Sequence, residues 1–134
     1  MKKIAVKTGW EIILPFNIIM LVTIFLSIGD EFLMLALIII PFTLFFNYIL
    51  FSIRYYIESH FLVIKSGIAP TVKININNIT TVKKTNDPSA SAAPTIFGRI
   101  KITEINNTLI ITPKDFNELK TELLTINPTI SFKE

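Results

Sequence analysis

The 134-residue chain contains no cysteine and a single histidine, His60. Without cysteine there is no disulfide, no thiol nucleophile and no thiolate metal site. A Cys–His or Ser–His–Asp mechanism would depend on His60, which lies beside a predicted strand turn and has the position of an ordinary surface residue. We therefore expect neither a metal site nor a cofactor site.

Glycine is also scarce, and with four glycines the chain has no glycine-rich phosphate loop. Paired carboxylates are missing as well, because Glu58, Asp87, Glu104 and Asp115 fall on separate predicted elements. The remaining acids of the second half lie in the last helix or the tail, so no acid–base couple is indicated. These absences predict a protein that is not an enzyme.

Long apolar runs are what the sequence does contain. Hydrophobic residues make up 51% of the chain and its mean hydropathy is +0.57, which is rare in a soluble domain of this size. Neither residues 12–28 nor residues 32–53 contain a charged side chain, and the turn between the two runs carries only acids. At about 1.5 Å per residue, each run is long enough for a hydrocarbon core of about 30 Å. We predict a membrane hairpin over residues 1–53 and a second domain over residues 54–134.

Two alternatives to the hairpin fit less well. A secretory signal peptide would need a small-residue cleavage site after the first run, but the chain continues through Gly29 to Glu31 into the second run. Two buried core helices would need more surrounding protein than this chain supplies.

Basic residues flank the hairpin on both sides, with Lys2, Lys3 and Lys7 before it and Arg54 and Lys65 after it. The positive-inside rule then predicts a multi-pass membrane protein with both termini cytoplasmic.

Four residues within the runs are candidates for helix packing. Prolines remove helical hydrogen bonds and asparagines can bond across helices in lipid. The candidates are Pro15, Asn17, Pro41 and Asn47. A transport pathway is disfavoured because the runs contain no charged side chain.

Beyond Arg54, apolar residues recur at every second position, which is typical of half-buried strands. Strands are predicted at residues 55–59, 61–67, 71–76, 80–85, 99–105 and 108–112. The inward side chains are expected to be Val72, Ile74, Ile76, Ile100 and Ile102, with Ile105 as a further candidate. An amphipathic helix follows, capped by Thr112 or Asp115 and ended by Pro128, with Phe116, Leu119 and Leu123 on one face. The predicted fold class is α+β, with five or more antiparallel strands capped by a C-terminal helix.

Several motifs occur in order from about Tyr56 to Ile130. They are Asn86-Asp87-Pro88 with the Ser/Ala run behind it, Arg99-Ile100, the "TPKD" of 112–115, and Asn127-Pro128. On these motifs the sequence resembles the YyaB-like bacterial pleckstrin-homology (PH) family. The resemblance implies an N-terminal membrane hairpin and a PH-like domain, a bent seven-strand sheet capped by a C-terminal helix. It implies a binding module and no catalytic residues.

The Ser/Ala-rich segment between the two strand groups is a candidate interaction loop, through Asn86, Pro88, Ser89, Ser91 and Pro94. In a PH-like sheet it would join the two halves at an open edge where a ligand or peptide could dock. The alternative is a plain linker whose small residues avoid a clash.

Cations on both sides of this loop form a predicted rim for anionic lipid headgroups, made of Lys83, Lys84, Arg99 and Lys101. The alternative is that outward lysines only solvate a sheet. Nucleic acid is not an expected partner, because no aromatic stacking platform accompanies these cations. The expected partners are membrane lipids, and a protein partner or a second copy of the chain.

The main hypothesis is therefore a membrane-anchored, non-enzymatic PH-like binding or scaffold module. Two alternatives stay open: a bacteriocin-immunity or membrane-stress resistance protein acting through the hairpin, and an assembly subunit of a membrane complex.

Overall fold

The computed structural model describes residues 1–27, 29, 31–88 and 93–134. Its helices are α1 (Trp10–Leu26), α2 (Phe32–Ser52) and α3 (Phe116–Ile126). The strands are β1 (Lys2–Ile4), β2 (Arg54–Glu58), β3 (Phe61–Ser66), β4 (Ala69–Asn75), β5 (Ile79–Thr85), β6 (Arg99–Glu104), β7 (Thr108–Ile111) and β8 (Ser131–Lys133). A 3-10 turn, Ile76–Asn78, connects β4 to β5.

The two N-terminal helices pack antiparallel, since Trp10 at the start of α1 meets Phe51 at the end of α2, with ring centroids 6.2 Å apart. Helix α2 has 21 residues and a mean hydropathy of 2.3, so it is long and apolar enough to cross a membrane. Helix α1 is equally free of interior charge but has 17 residues. Most apolar side chains of both helices are exposed, among them Ile18, Leu21, Phe25, Leu33, Leu37 and Leu44.

The first sheet has the strand order β1-β2-β3-β4, and every neighbouring pair is antiparallel. Strand β1 was not predicted, because three residues that begin with two lysines show no alternation. It pairs with β2, placing Ile4 opposite Tyr55. The two helices are thus inserted between the first two strands of a sheet, and the predicted division at residue 53 stays a prediction.

The second sheet has the order β7-β6-β5-β8. Strands β5, β6 and β7 are antiparallel, whereas β8 runs parallel to β5. The sequence did not indicate β8, which follows Pro128 and has three residues. The chain between β1 and α1 connects the two sheets, because Lys7 N donates to Thr112 O at 2.9 Å and Lys114 N to Ala5 O at 2.8 Å.

Helix α3 covers the core between the sheets with Leu119 and Leu123, both fully buried. Asp115 caps it, since one carboxylate oxygen accepts from the backbone N–H groups of Asn117 at 2.8 Å and Glu118 at 3.2 Å. The predicted α+β fold class is confirmed. Where the resemblance implies one bent seven-strand sheet with a capping helix, the structure has eight strands in two four-stranded sheets, seven of them antiparallel and β8 parallel to β5.

Two side chains predicted to face inward are not buried. Val72 is 40% exposed because β4 is an edge strand, and Ile105 is 70% exposed because β6 ends at Glu104 and the chain turns there.

Tyr55 connects β2 to the end of β7, since its buried hydroxyl accepts a hydrogen bond from Thr112 N at 3.2 Å. Burial raises the pKa of this hydroxyl above its ordinary value of about 10. Above about pH 10 the unfolded chain loses a proton that the folded protein keeps, so the stabilisation is complete below that pH and declines as the pH rises beyond it.

We expect Tyr55→Phe to be less stable than wild type by about 1 kcal/mol at neutral pH, because Thr112 N–H loses its partner. Above about pH 10 this gap should narrow, since phenylalanine has no proton to release. Chemical unfolding of both full chains in detergent, across the pH range, measures the gap. A gap that stays constant to about pH 11 would contradict the expectation.

Candidate binding cleft at the base of the helices

A cleft of about 580 Å³ opens where the helices meet the β-domain. Its lining includes four cations, Lys3, Lys7, Arg54 and Lys114, together with Trp10. The remaining lining residues are Ala5, Val6 and Thr8. We refer to this feature as the basic cleft.

Three separate parts of the chain bring these cations together. Lys3 lies on β1 and Lys7 follows it, in the segment that pairs with residues 112–114. Arg54 opens β2 directly after α2, and Lys114 lies between β7 and α3. The cleft therefore exists because β1 and the residues after it pair with both sheets.

Arg54 also stabilises the end of α2. Its guanidinium donates to Ile53 O at 2.9 Å and to Phe51 O. A cation is favourable at a helix C-terminus, where carbonyl groups have no partner within the helix.

All charged side chains that line the cleft are positive. No carboxylate lines it, and across residues 1–27, 29, 31–88 and 93–134 none of its four cations forms an ion pair. Lysines 2, 84 and 101, in contrast, pair with Glu122, Glu134 and Asp87. Four cations without carboxylate partners around a partly enclosed space would favour an anion such as a phosphate.

A smaller groove of about 350 Å³ adjoins the cleft and shares Lys7 and Lys114 with it. Lys84, Arg99 and Asn86, three of the residues singled out from the sequence, also line this groove. Lys84 lies 4.0 Å from a Glu134 carboxylate oxygen and 5.1 Å from the centre of the Phe116 ring. The predicted rim is thus partly adjacent to the cleft.

The other two rim lysines lie elsewhere. Lys83 and Lys101 are opposite each other in the β5–β6 register, and Lys133 of β8 pairs with Lys83 on its other side. Their neighbours in sequence, Val82, Ile100 and Ile102, are buried, so these lysines point away from the core. The binding roles of all four rim residues stay predictions.

The candidate interaction loop is described only at its two ends, since Ser89 and Ser91 lie outside the described residues. Asn86 and Pro88 are exposed, and Pro94 is buried. Arg99 holds the ends together: its Nε donates to Thr95 O at 3.0 Å and its Nη1 to Asp87 O at 3.1 Å. Much of the guanidinium is therefore engaged within the fold.

The far end of the loop rests on the start of α1. Ile96 N donates to a Glu11 carboxylate oxygen at 2.9 Å, and Lys7 Nζ donates to Phe97 O at 3.5 Å. Pro94 O lies so close to Gly9 that a methyl group there would be 1.9 Å from it. The loop is thus in contact with the helices as well as with the sheet, which the sequence did not indicate.

Between the helices, the side-chain amides of Asn17 and Asn47 exchange two hydrogen bonds of 3.1 and 3.0 Å. Each amide nitrogen also donates to a backbone carbonyl one turn earlier, in Ile13 and Thr43. Pro15 and Pro41 are exposed on their helices, and their role in packing stays a prediction.

Sequence reasoning used Lys3, Lys7 and Arg54 for membrane orientation and missed them as parts of one site. The available signal was that cations flank both ends of the helical insertion, which become neighbours when two helices form a hairpin. Lys114, inside the "TPKD" motif, carried no such signal.

The chain matches a family model described as "Bacterial PH domain" over residues 53–127, which is more than half of its length. The match covers β2 to the end of α3, so β1, α1 and α2 lie outside it. Neither the curated proteins nor the solved structures contained a match. The YyaB-like subgroup of the resemblance stays a prediction. Because the match includes the strands and the capping helix in their order, the chain belongs to the bacterial PH domain family.

Proposed function

We propose that this protein is a non-catalytic PH-like module, anchored by a membrane hairpin, that binds the phosphate of anionic phospholipid headgroups in the basic cleft. PH domains are generally non-catalytic binding modules. The observation that carries the proposal is the convergence of four cations without carboxylate partners, beside Trp10, at the base of the apolar helices.

Strand pairing supports two membrane crossings. Strand β1 precedes the helices and β2 follows them, yet the two are hydrogen-bonded neighbours. The helical insertion must therefore begin and end on the same side of any membrane, which permits zero or two crossings. Since α2 has the length and composition of a membrane span, two crossings agree with both observations. Helix α1, at 17 residues, is at the short end of the range for a span.

The arrangement would hold the basic cleft at headgroup level. Trp10, which lines the cleft, is half exposed at the start of α1, and tryptophan is enriched at membrane–water interfaces. Cations next to a spanning helix favour the cytoplasmic side, so both termini are proposed to be cytoplasmic. The partner is then the anionic inner leaflet, to which each nearby cation contributes about 1 kcal/mol.

The test uses Trp10, the single tryptophan of the chain, as a fluorescence donor. The full chain is reconstituted in nanodiscs containing dansyl-labelled phosphatidylglycerol or dansyl-labelled phosphatidylcholine. We expect stronger energy transfer to the anionic lipid. The triple variant Lys3→Gln, Lys7→Gln, Lys114→Gln should lower the affinity for the anionic lipid, relative to the neutral one, about a hundredfold. Arg54 is retained because it also caps α2.

The matched control removes the same charge away from the cleft and from the predicted rim, as Lys73→Gln, Lys120→Gln, Lys133→Gln. It should keep most of the preference. If both triple variants lose it equally, net charge and not the basic cleft is responsible, and the proposal is overturned. If wild type shows no preference for the anionic lipid, the lipid ligand is wrong and a protein partner becomes the candidate.

A further inference from the structure

Two turns of the β-domain rest against the base of the helices and expose large apolar side chains there. One is the 95–98 turn, between the interaction loop and β6. The other is the β3–β4 turn, residues 66–69. They belong to different sheets, and each is in contact with a different helix.

The 95–98 turn has its polar groups directed inward and its apolar side chains outward. Thr95 is fully buried, and its hydroxyl accepts from Phe97 N at 3.2 Å. Glu11 accepts from Ile96 N, which fixes the turn to the first turn of α1. The side chains of Ile96 and Phe97 nevertheless remain 52% and 62% exposed. Two large apolar side chains exposed next to each other form a patch, and such patches mark contact surfaces more often than single exposed side chains do.

The β3–β4 turn contacts the last turns of α2. A methyl group on Gly67 would lie 2.6 Å from the Ser52 hydroxyl oxygen and 3.3 Å from a ring carbon of Tyr48. Ile68, the next residue, is 66% exposed. This turn therefore presents an apolar side chain beside α2, as the 95–98 turn does beside α1.

Resting on the proposed membrane anchor, we propose that Ile68, Ile96 and Phe97 insert into the interfacial layer of the same membrane. The two turns rest next to exposed aromatic residues of the hairpin: Ile96 N bonds to Glu11, the residue after Trp10, and Gly67 lies beside the Tyr48 ring. The basic cleft, with Lys7 and Arg54, lies at the same base. The domain then has apolar contacts to lipid in both sheets, which hold the cleft against the headgroups.

The test places one tryptophan at a time in the full chain, with Trp10→Phe as the background. Phe97→Trp and Ile68→Trp report on the two turns. Ile105→Trp is the matched control, since Ile105 is similarly exposed but lies beyond the far end of β6. Phe45→Trp, within α2, reports whether the hairpin is in the bilayer at all. The proteins are reconstituted in vesicles of phosphatidylcholine and phosphatidylglycerol brominated at shallow or deep acyl positions.

We expect the tryptophans at 97 and 68 to have blue-shifted emission and to be quenched mainly by the shallow bromines, while the one at 105 is quenched only by aqueous iodide. If the tryptophans at positions 97 and 68 are quenched like the one at position 105, while the one at position 45 is quenched by the deep bromines, the insertion is overturned. The membrane anchor then stands. If 45 is not quenched either, the anchor and the insertion fail together.

Discussion

The Asn127→Asp variant is expected to lose about 3 kcal/mol or more of its free energy of unfolding, although the substitution only replaces the side-chain NH2 group by an oxygen. Asn127 is buried at the end of α3. Its amide nitrogen donates to Ile76 O at 3.0 Å and lies 3.4 Å from Asn77 O. An aspartate would place oxygens against these carbonyls, with no proton to donate unless it becomes protonated at a cost.

The position explains the size of the effect. The carbonyls belong to the 3-10 turn where the chain passes from the first sheet to the second. The other end of the same amide, Asn127 Oδ1, accepts from Thr129 N at 3.1 Å and from the Thr129 hydroxyl at 2.6 Å, which directs the chain toward β8. One side chain thus connects the capping helix, the corner between the sheets and the last strand.

The measurement is chemical unfolding of the full chain in detergent, followed by circular dichroism. Asn117→Asp is the matched control, because Asn117 is exposed in the first turn of α3, where a negative charge is favourable. It should change stability by less than about 0.5 kcal/mol. Equal stability of the two aspartate variants would show that the Asn127 amide does not support the corner between the sheets.

The Gly9→Ala variant is the second change with a large expected effect, about 1 to 3 kcal/mol. The added methyl group would lie 1.9 Å from Pro94 O and 2.9 Å from the Pro94 carbonyl carbon. Both are backbone atoms, so no side-chain rotation can relieve the overlap, and the loop must move away from α1. The Glu11 bond to Ile96 N should then be lost.

Hydrogen exchange of the full chain in detergent detects this movement, as faster exchange at residues 95–98 with little change in α3. Thr8→Ala is the control, because it removes atoms at the neighbouring, exposed position. Unchanged exchange at 95–98 in Gly9→Ala would mean that the loop does not rest on the start of α1.

The Gly9 prediction depends on the way the helices are built into the domain. Because the hairpin is inserted between β1 and β2, its first residues pair with the end of β7 and its last residue leads directly into β2. A shift of either helix would therefore be transmitted to the strands that form the basic cleft. Gly9 and Arg54 lie at these two junctions, one against the loop and the other at the end of α2.

The sequence by itself determined the parts of this protein that depend on local pattern. Two runs without charges predict α1 and α2, period-two alternation predicts β2 to β7, and the spacing of Leu119 and Leu123 behind Asp115 predicts α3. In each case the residues that set the pattern are near neighbours, so the physical cause is contained in a short window.

Only the tertiary structure decided what depends on distant residues. Strand β1 has no periodic signal and exists because Ile4 and Tyr55, 51 positions apart, pair across the inserted hairpin. The basic cleft combines cations from three separate segments, and the bonds of Arg99 to Thr95 O and Asp87 O join residues that no local pattern relates. Charge patterns along a sequence show which residues are cationic. Whether a carboxylate or a carbonyl lies opposite each of them is set by the packing of the whole chain.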